Sequence, residues 1–115
     1  MITLTGEPQT TNTLYRSHCR FGYPTVYMSS KGKALKEDYQ WQAKAQWRKP
    51  LLTGTIALRV SLYFKNKRRN DIDNFNKILF DALTGIVWED DSQITELTIT
   101  KLQDTQNPRI ELEII

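Results

Sequence analysis

Strict alternation of apolar and polar side chains between positions 55 and 64 is the feature that most constrains how this chain folds. Every second position of this stretch is apolar: Ile56, Leu58, Val60, Leu62 and Phe64. Because successive side chains of a strand point to opposite faces, this spacing predicts a strand with one face turned to a core. Such a face has to be covered, so other elements of the chain must pack on it.

A helical pattern follows this strand. Apolar residues recur with the period of about 3.6 residues that is typical of a helix with one buried face: Phe75, Ile78, Leu79, Ala82, Leu83 and Ile86. We expect the helix to begin near Asp71 or Asp73 and to end at Gly85.

A second helix is predicted over residues 31–47. Ser29 or Ser30 is expected to cap its start, and Pro50 to end it. Its inner face is predicted from the spacing of five residues: Ala34, Leu35, Tyr39, Gln42 and Ala43.

The remaining segments predict short strands. These lie at residues 2–4, 25–28, 94–102 and 109–114, and residues 6–24 are interpreted as an irregular arm. The resulting order is β, short β, α, β, α, β, β. It predicts a single α/β (α+β) domain over residues 1–115, in which a small mixed sheet packs with two main helices.

Composition excludes several classes of protein. Cys19 is the sole cysteine, which leaves no internal disulfide or thiolate metal site and favours a reducing cytoplasm. No segment approaches the roughly 20 apolar residues of a membrane span, and the first residues lack the pattern of a signal peptide. We therefore expect a cytoplasmic protein with no membrane partner. The net charge of +3 is too small to identify a partner by itself.

Basic residues cluster immediately before a pair of acids. Lys67, Arg68 and Arg69 follow Lys65 closely and lead into Asp71 and Asp73. A solvated turn is the ordinary explanation for such a run. The functional alternative is a strip that contacts DNA phosphates, and three residues are its candidates: Lys67, Arg68 and Arg69.

The acids themselves suggest a metal site. Asp71 and Asp73 lie where the strand leads into the helix, Lys77 follows one turn later, and Asp91 lies beyond the helix. Oxygen ligands without nearby His or Cys favour Mg²⁺ or Mn²⁺, which suit phosphodiester hydrolysis. Lys77 would then orient the attacking water or offset transition-state charge. Helix capping and a surface ion pair between Asp73 and Lys77 explain the same residues about as well. Two further acids are weaker candidates: Asp81 and Asp90.

Four short patterns occur in order from residue 68 to residue 93: a basic run, D-x-D-N-x-x-K, F-D-A-L and D-D. Together they resemble the RusA family of phage-type Holliday-junction resolvases. The resemblance implies that Asp71, Asp73 and Asp91 bind a divalent metal ion, Mg²⁺ with Mn²⁺ as a substitute, and that Lys77 assists catalysis. One position departs from the pattern, because Asn70 stands where the family often has a basic residue.

The resemblance also implies a substrate and an assembly. A bacterial or phage-encoded homodimer would cut four-way DNA junctions by paired nicks in strands of like polarity, as a crossover junction endodeoxyribonuclease in recombination and repair. Two alternatives stay open: a nuclease that prefers flaps or forks, and a non-catalytic module that binds branched DNA. A dimer would also cover apolar surface that one small sheet does not hide, at Trp41, Trp47, Trp88 and the C-terminal strands.

Overall fold

A four-stranded mixed sheet and two helices make up most of the described structure. The computed structural model describes residues 1–10, 14–20, 22–66 and 75–115, with side chains for all of these except 16–20 and 23–26. In chain order the elements are β1 (Ile2–Thr5), β2 (Tyr15–Arg20), β3 (Tyr23–Met28), α1 (Ser30–Gln46), β4 (Ile56–Phe64), α2 (Asn76–Leu83), a 3₁₀ turn (Asp91–Gln93), β5 (Ile94–Gln103) and β6 (Arg109–Ile114). The predicted α+β class, with a mixed sheet and two main helices, is confirmed.

The alternating strand β4 lies inside the sheet, whose order is β1-β6-β4-β5. It pairs in parallel with β5 on one side and antiparallel with β6 on the other. The five apolar side chains predicted to face the core are all buried: Ile56, Leu58, Val60, Leu62 and Phe64. Because β4 is paired along both edges and buried on one face, it gives the segment that follows it a rigid starting point.

The start of α1 is held against the N-terminal segment. Ser29 caps the helix: its hydroxyl accepts from the Gly32 amide at 3.1 Å and donates to the Leu14 carbonyl at 3.0 Å. Gly32 is needed for this approach, since a Cβ there would lie only 2.5 Å from the Leu14 carbonyl oxygen. Ser29 is therefore the capping serine, and the helix ends at Gln46, before Pro50.

The buried face of α1 differs from the predicted one at a single position. Tyr39 and Ala43 are buried and Leu35 is partly buried, as expected, but Ala34 is exposed. Gly32 takes its place in the buried face, because it lies one turn before Leu35 and packs against the chain at Leu14. Residue 32 is buried because glycine is small enough to pack against Leu14, and a hydrophobic pattern carries no signal for small size.

Polar side chains of α1 cover one edge of the sheet. The Gln42 side chain accepts from the Thr5 amide at 2.8 Å, and Gln46 both accepts from the Thr3 amide and donates to the Thr3 carbonyl. These contacts satisfy the outer backbone groups of β1 that a sheet edge otherwise exposes. The other edge strand, β5, is mostly exposed.

The prediction of an irregular arm at residues 6–24 was wrong in its second half. Strands β2 and β3 form an antiparallel hairpin, of which only the stretch 25–28 was predicted as extended. The hairpin turns at Gly22, which has a φ of +78°. Backbone pairing holds it together, whereas the sequence of β2 (YRSHCR) contains no Val, Ile, Leu or Phe that would reveal a strand by its hydrophobic pattern.

Helix α2 packs its predicted apolar face into the core and ends as predicted. Ile78, Leu79, Ala82 and Leu83 are all buried, and Gly85 follows the helix with a φ of +88°. The helix begins at Asn76, with Phe75 at its N-cap, so the predicted start near Asp71 or Asp73 was too early. Asp71 and Asp73 themselves lie outside the described residues. No helix of the part described is long and apolar enough to cross a membrane.

The three tryptophans have different environments. Trp88 is fully buried and Trp47 is partly buried against the core, whereas Trp41 is 74% exposed. The expectation that Trp88 needs a second subunit to cover it is therefore wrong, because its own chain buries it. The inner face of β6 is also covered by its own chain, with Ile110 and Leu112 in the core.

Candidate active site

Helix α2 presents a lysine and a carboxylate on its outer side. The Lys77 ammonium lies 3.8 Å from Asp81 Oδ2, one helical turn away, with half of the lysine side chain and about a third of the aspartate side chain exposed (50% and 32%). The neighbouring Ile78 and Leu79 point into the core, which fixes which side of α2 faces outward. An ammonium that is anchored but half exposed can still reach a substrate.

Tyr15, from the start of β2, completes this group. Its hydroxyl donates a short hydrogen bond to Asp81 Oδ2, and the Lys77 ammonium lies 4.8 Å from the centre of its ring. Burial and the contact with Asp81 raise the pKa of the Tyr15 hydroxyl above its usual value, so that it remains a hydrogen-bond donor even at alkaline pH. Tyr15 belongs to a weaker part of the family resemblance in the predicted arm, and the sequence alone does not mark it as a site residue.

The loop after α2 is folded back on the helix by Trp88. The indole nitrogen donates to the Thr84 hydroxyl at 3.1 Å, and the ring packs edge-on against Phe80 with centroids 6.0 Å apart. The Gly85 amide donates to the Trp88 carbonyl at 2.7 Å, which closes the turn at the helix end. The chain therefore leaves the core at Trp88 only a few residues before the acidic pair.

The acidic pair has two different local roles. Asp90 caps the 3₁₀ turn, since its carboxylate accepts from the Ser92 amide at 3.0 Å and its own amide donates to the Gln93 side chain at 2.8 Å. Gln93 in turn donates to the Leu52 and Gly54 carbonyls, which ties the turn to the loop before β4. The spacing of Asp90 and Gln93 is that of a capping box, a signal available in the sequence.

Asp91 is exposed beside this cap and within electrostatic reach of α2. A hydrogen bond with Asp90, slight burial and the charges of Asp90 and Asp81 raise the pKa of Asp91, and Lys77 opposes this rise. The backbone hydrogen bond from Ser92 lowers the pKa of Asp90, which keeps that carboxylate ionised. The charges of Lys77 and Asp81 thus reach Asp91, which follows the helix in sequence.

The other predicted site residues lie outside the described residues: Lys67, Arg68, Arg69, Asp71 and Asp73. Their convergence with Asp91 stays a prediction. Among the residues that the structure describes, no three His, Cys, Asp or Glu side chains form a group that could hold a metal ion. The described residues contribute an exposed carboxylate, Asp91, and a half-exposed cation, Lys77.

Comparison with known proteins identifies the family. The family described as "Endodeoxyribonuclease RusA" matches residues 5–115. The chain belongs to the RusA family. The crossover junction endodeoxyribonucleases RusA of Escherichia coli K12 and of Enterobacteria phage 82 are each 31% identical to it over 114 residues, covering 98% of this chain and 91% of theirs. The corresponding protein of Escherichia coli O139:H28 is 28% identical over the same length.

These matches confirm the family and the class of enzyme that the sequence motifs predicted, a nuclease. The family match reaches well beyond the motif region from residue 68 to residue 93, because it includes α1 and strands β4, β5 and β6.

Proposed function

We propose that this RusA-family protein resolves four-way DNA junctions by metal-dependent hydrolysis of phosphodiester bonds. The observation that carries the proposal is the outward-facing Lys77–Asp81 pair of α2, whose charges reach Asp91 beyond the helix. Relatives of nearly the same length are named crossover junction endodeoxyribonucleases, which supports a branched substrate. The proposed setting is the cytoplasm of a bacterium, with the gene of bacterial or phage origin.

The residues present suit a hard divalent cation. Asp91 is an exposed carboxylate in the field of two other acids, Asp81 and Asp90, so a cation would relieve their repulsion. Asp71, Asp73 and Asp91 together would supply three oxygen ligands of the kind that Mg²⁺ prefers. Mn²⁺ is expected to substitute for Mg²⁺. When bound, the ion supplies Lewis-acid polarisation of the phosphoryl oxygen and a more acidic water.

Lys77 contributes a positive charge on the outer side of α2. Its ammonium has its partner carboxylate at 3.8 Å, which is an ion pair and not a short hydrogen bond. The three N–H donors therefore stay available for a phosphate oxygen or a water molecule. A donor aimed at a phosphate where negative charge grows in the transition state would accelerate cleavage.

Cleavage of a synthetic mobile four-way junction tests the proposal. We expect paired nicks with Mg²⁺ or Mn²⁺ and a loss of at least about a hundredfold in rate with EDTA, because the carboxylates alone cannot supply the Lewis acid. Linear duplex and flap substrates of equal length serve as controls. Faster cutting of the flap would favour the fork-preferring alternative, and tight junction binding without cutting under any metal condition would favour the non-catalytic one.

A two-fold symmetric homodimer is part of the proposal. Two nicks on opposed strands need two active sites, and a two-fold pair would present them to a junction of approximately the same symmetry. Strand β5 supports self-association: it is a ten-residue edge strand with Leu97 and Leu102 exposed, whereas α1 covers the β1 edge. Light scattering is expected to give twice the 13.5 kDa of one chain. A mass near 13.5 kDa that persists at micromolar concentration and with junction bound one-to-one would rule the dimer out.

A further inference from the structure

Three residues from two distant parts of the chain meet on the outer side of α2. Tyr15 donates to the same Asp81 oxygen that lies 3.8 Å from the Lys77 ammonium, and the ammonium lies 4.8 Å from the Tyr15 ring centre. We propose that Tyr15 and Asp81 are positioning residues, which hold the Lys77 ammonium in place on the outer side of α2. This inference rests on the proposed function, because it assigns these residues to the catalytic use of Lys77.

The ion pair alone does not account for a fixed lysine. An exposed ion pair of this spacing on a helix is only weakly stabilising, and a lysine side chain has four rotatable bonds to restrain. Tyr15 adds two restraints: its hydroxyl fixes the Asp81 carboxylate, and its ring lies under the ammonium. The lysine is thereby held from two sides while its donors stay available.

Tyr15 is itself held by the core. The preceding residue, Leu14, is fully buried, and its carbonyl accepts from both the amide and the hydroxyl of Ser29 at 2.8 and 3.0 Å. Gly32 packs directly on that carbonyl, so the backbone leading to Tyr15 has little room to shift. A tyrosine whose contact with Asp81 were incidental would not need a backbone held in this way.

The arrangement favours positioning over a role for Asp81 as a metal ligand. Asp81 Oδ2 is already engaged by Tyr15 and faces the ammonium. The expected contribution of Asp81 is to orientation, which changes the cleavage rate more than the affinity for DNA.

The first experiment compares Tyr15→Phe and Asp81→Asn with the unmodified protein in single-turnover junction cleavage. Each variant is expected to cut about tenfold more slowly, because each weakens or removes the Tyr15–Asp81 hydrogen bond that orients Lys77. Junction affinity, measured in EDTA, should change less than about twofold. Tyr27→Phe is the matched control, because Tyr27 lies on the same hairpin with 48% of its surface exposed. Circular dichroism confirms that each variant is folded at the assay temperature.

The second experiment tests whether both residues act through Lys77. In a Lys77→Ala background, Tyr15→Phe should change the residual cleavage rate less than about twofold. With Lys77 intact, the double variant Tyr15→Phe/Asp81→Asn should cut no more slowly than the slower of the two single variants. Asp81→Glu, which keeps the carboxylate, should recover part of the rate lost in Asp81→Asn. Wild-type cutting by Tyr15→Phe, or full additivity of the two substitutions, would overturn the inference. Wild-type cutting by Lys77→Ala would instead remove Lys77 from the proposed function.

Discussion

Replacing Asp71 or Asp73 with asparagine is expected to abolish junction cleavage and to leave junction binding intact or tighter. The amide is nearly isosteric with the carboxylate but is a much poorer ligand for a hard cation, so the rate should fall by about a thousandfold or more. Binding is preserved because the substitution removes a negative charge beside the DNA phosphates. Gel assays of nicking, with mobility shifts in EDTA for affinity, measure the two effects separately.

The neighbouring acids supply a matched comparison. Asp91→Asn should behave like the Asp71 and Asp73 variants, whereas Asp90→Asn should cut within a few-fold of the unmodified rate. Asparagine caps a helical turn about as well as aspartate, so the hydrogen bond from the Ser92 amide survives that change. Near wild-type cutting by the Asp71 or Asp73 variants would show that the metal assignment is wrong.

Substitution of the basic strip should give the reverse result. Neutral residues at Lys67, Arg68 and Arg69 are expected to weaken junction binding and to flatten its dependence on salt, because fewer counterions are released when the DNA is bound. Saturating protein should then restore most of the cleavage rate. Loss of rate that saturation does not restore would mean that these residues act in the chemical step.

The parts of the fold that the sequence predicted are those in which one face is buried. The period of two in β4 and the period of 3.6 in α2 both follow from a core that accepts only apolar side chains, and both predictions are confirmed. The β2–β3 hairpin was missed because backbone pairing and the turn at Gly22 define it. Ala34 was misplaced because contact with the Leu14 carbonyl, and not hydrophobicity, selects Gly32 for the buried face.

Motif spacing selected the candidate site residues, but it did not predict the contacts that hold them in place. The order of the acidic motifs predicted the family, and the family match confirms it. The contacts that place the turn containing Asp91 are long-range, such as those of Gln93 with the Leu52 and Gly54 carbonyls. Tyr15 lies 66 positions before Asp81, so no local pattern connects them.

Replacing Trp88 with alanine is expected to be the most destabilising change in the described part of the site. Trp88 is fully buried, packs on Phe80 and donates its indole hydrogen to Thr84. Truncating a buried aromatic side chain of this size costs about 3–5 kcal/mol, a large share of the roughly 5–15 kcal/mol that stabilises an ordinary domain. Denaturant and thermal unfolding measure the loss, which should lower the melting temperature by about ten degrees or more.

Two further variants separate burial from the hydrogen bond. Trp41→Ala removes an indole that is 74% exposed and should cost no more than about 0.5 kcal/mol. Trp88→Phe keeps an aromatic ring against Phe80 but loses the donor to Thr84, so a cost of about 1–3 kcal/mol is expected. Equal costs for Trp88→Ala and Trp41→Ala would contradict the buried environment of Trp88. Because Trp88 folds the chain back toward α2 just before Asp91, the folded Trp88→Phe variant should lose cleavage rate while it keeps its affinity for the junction.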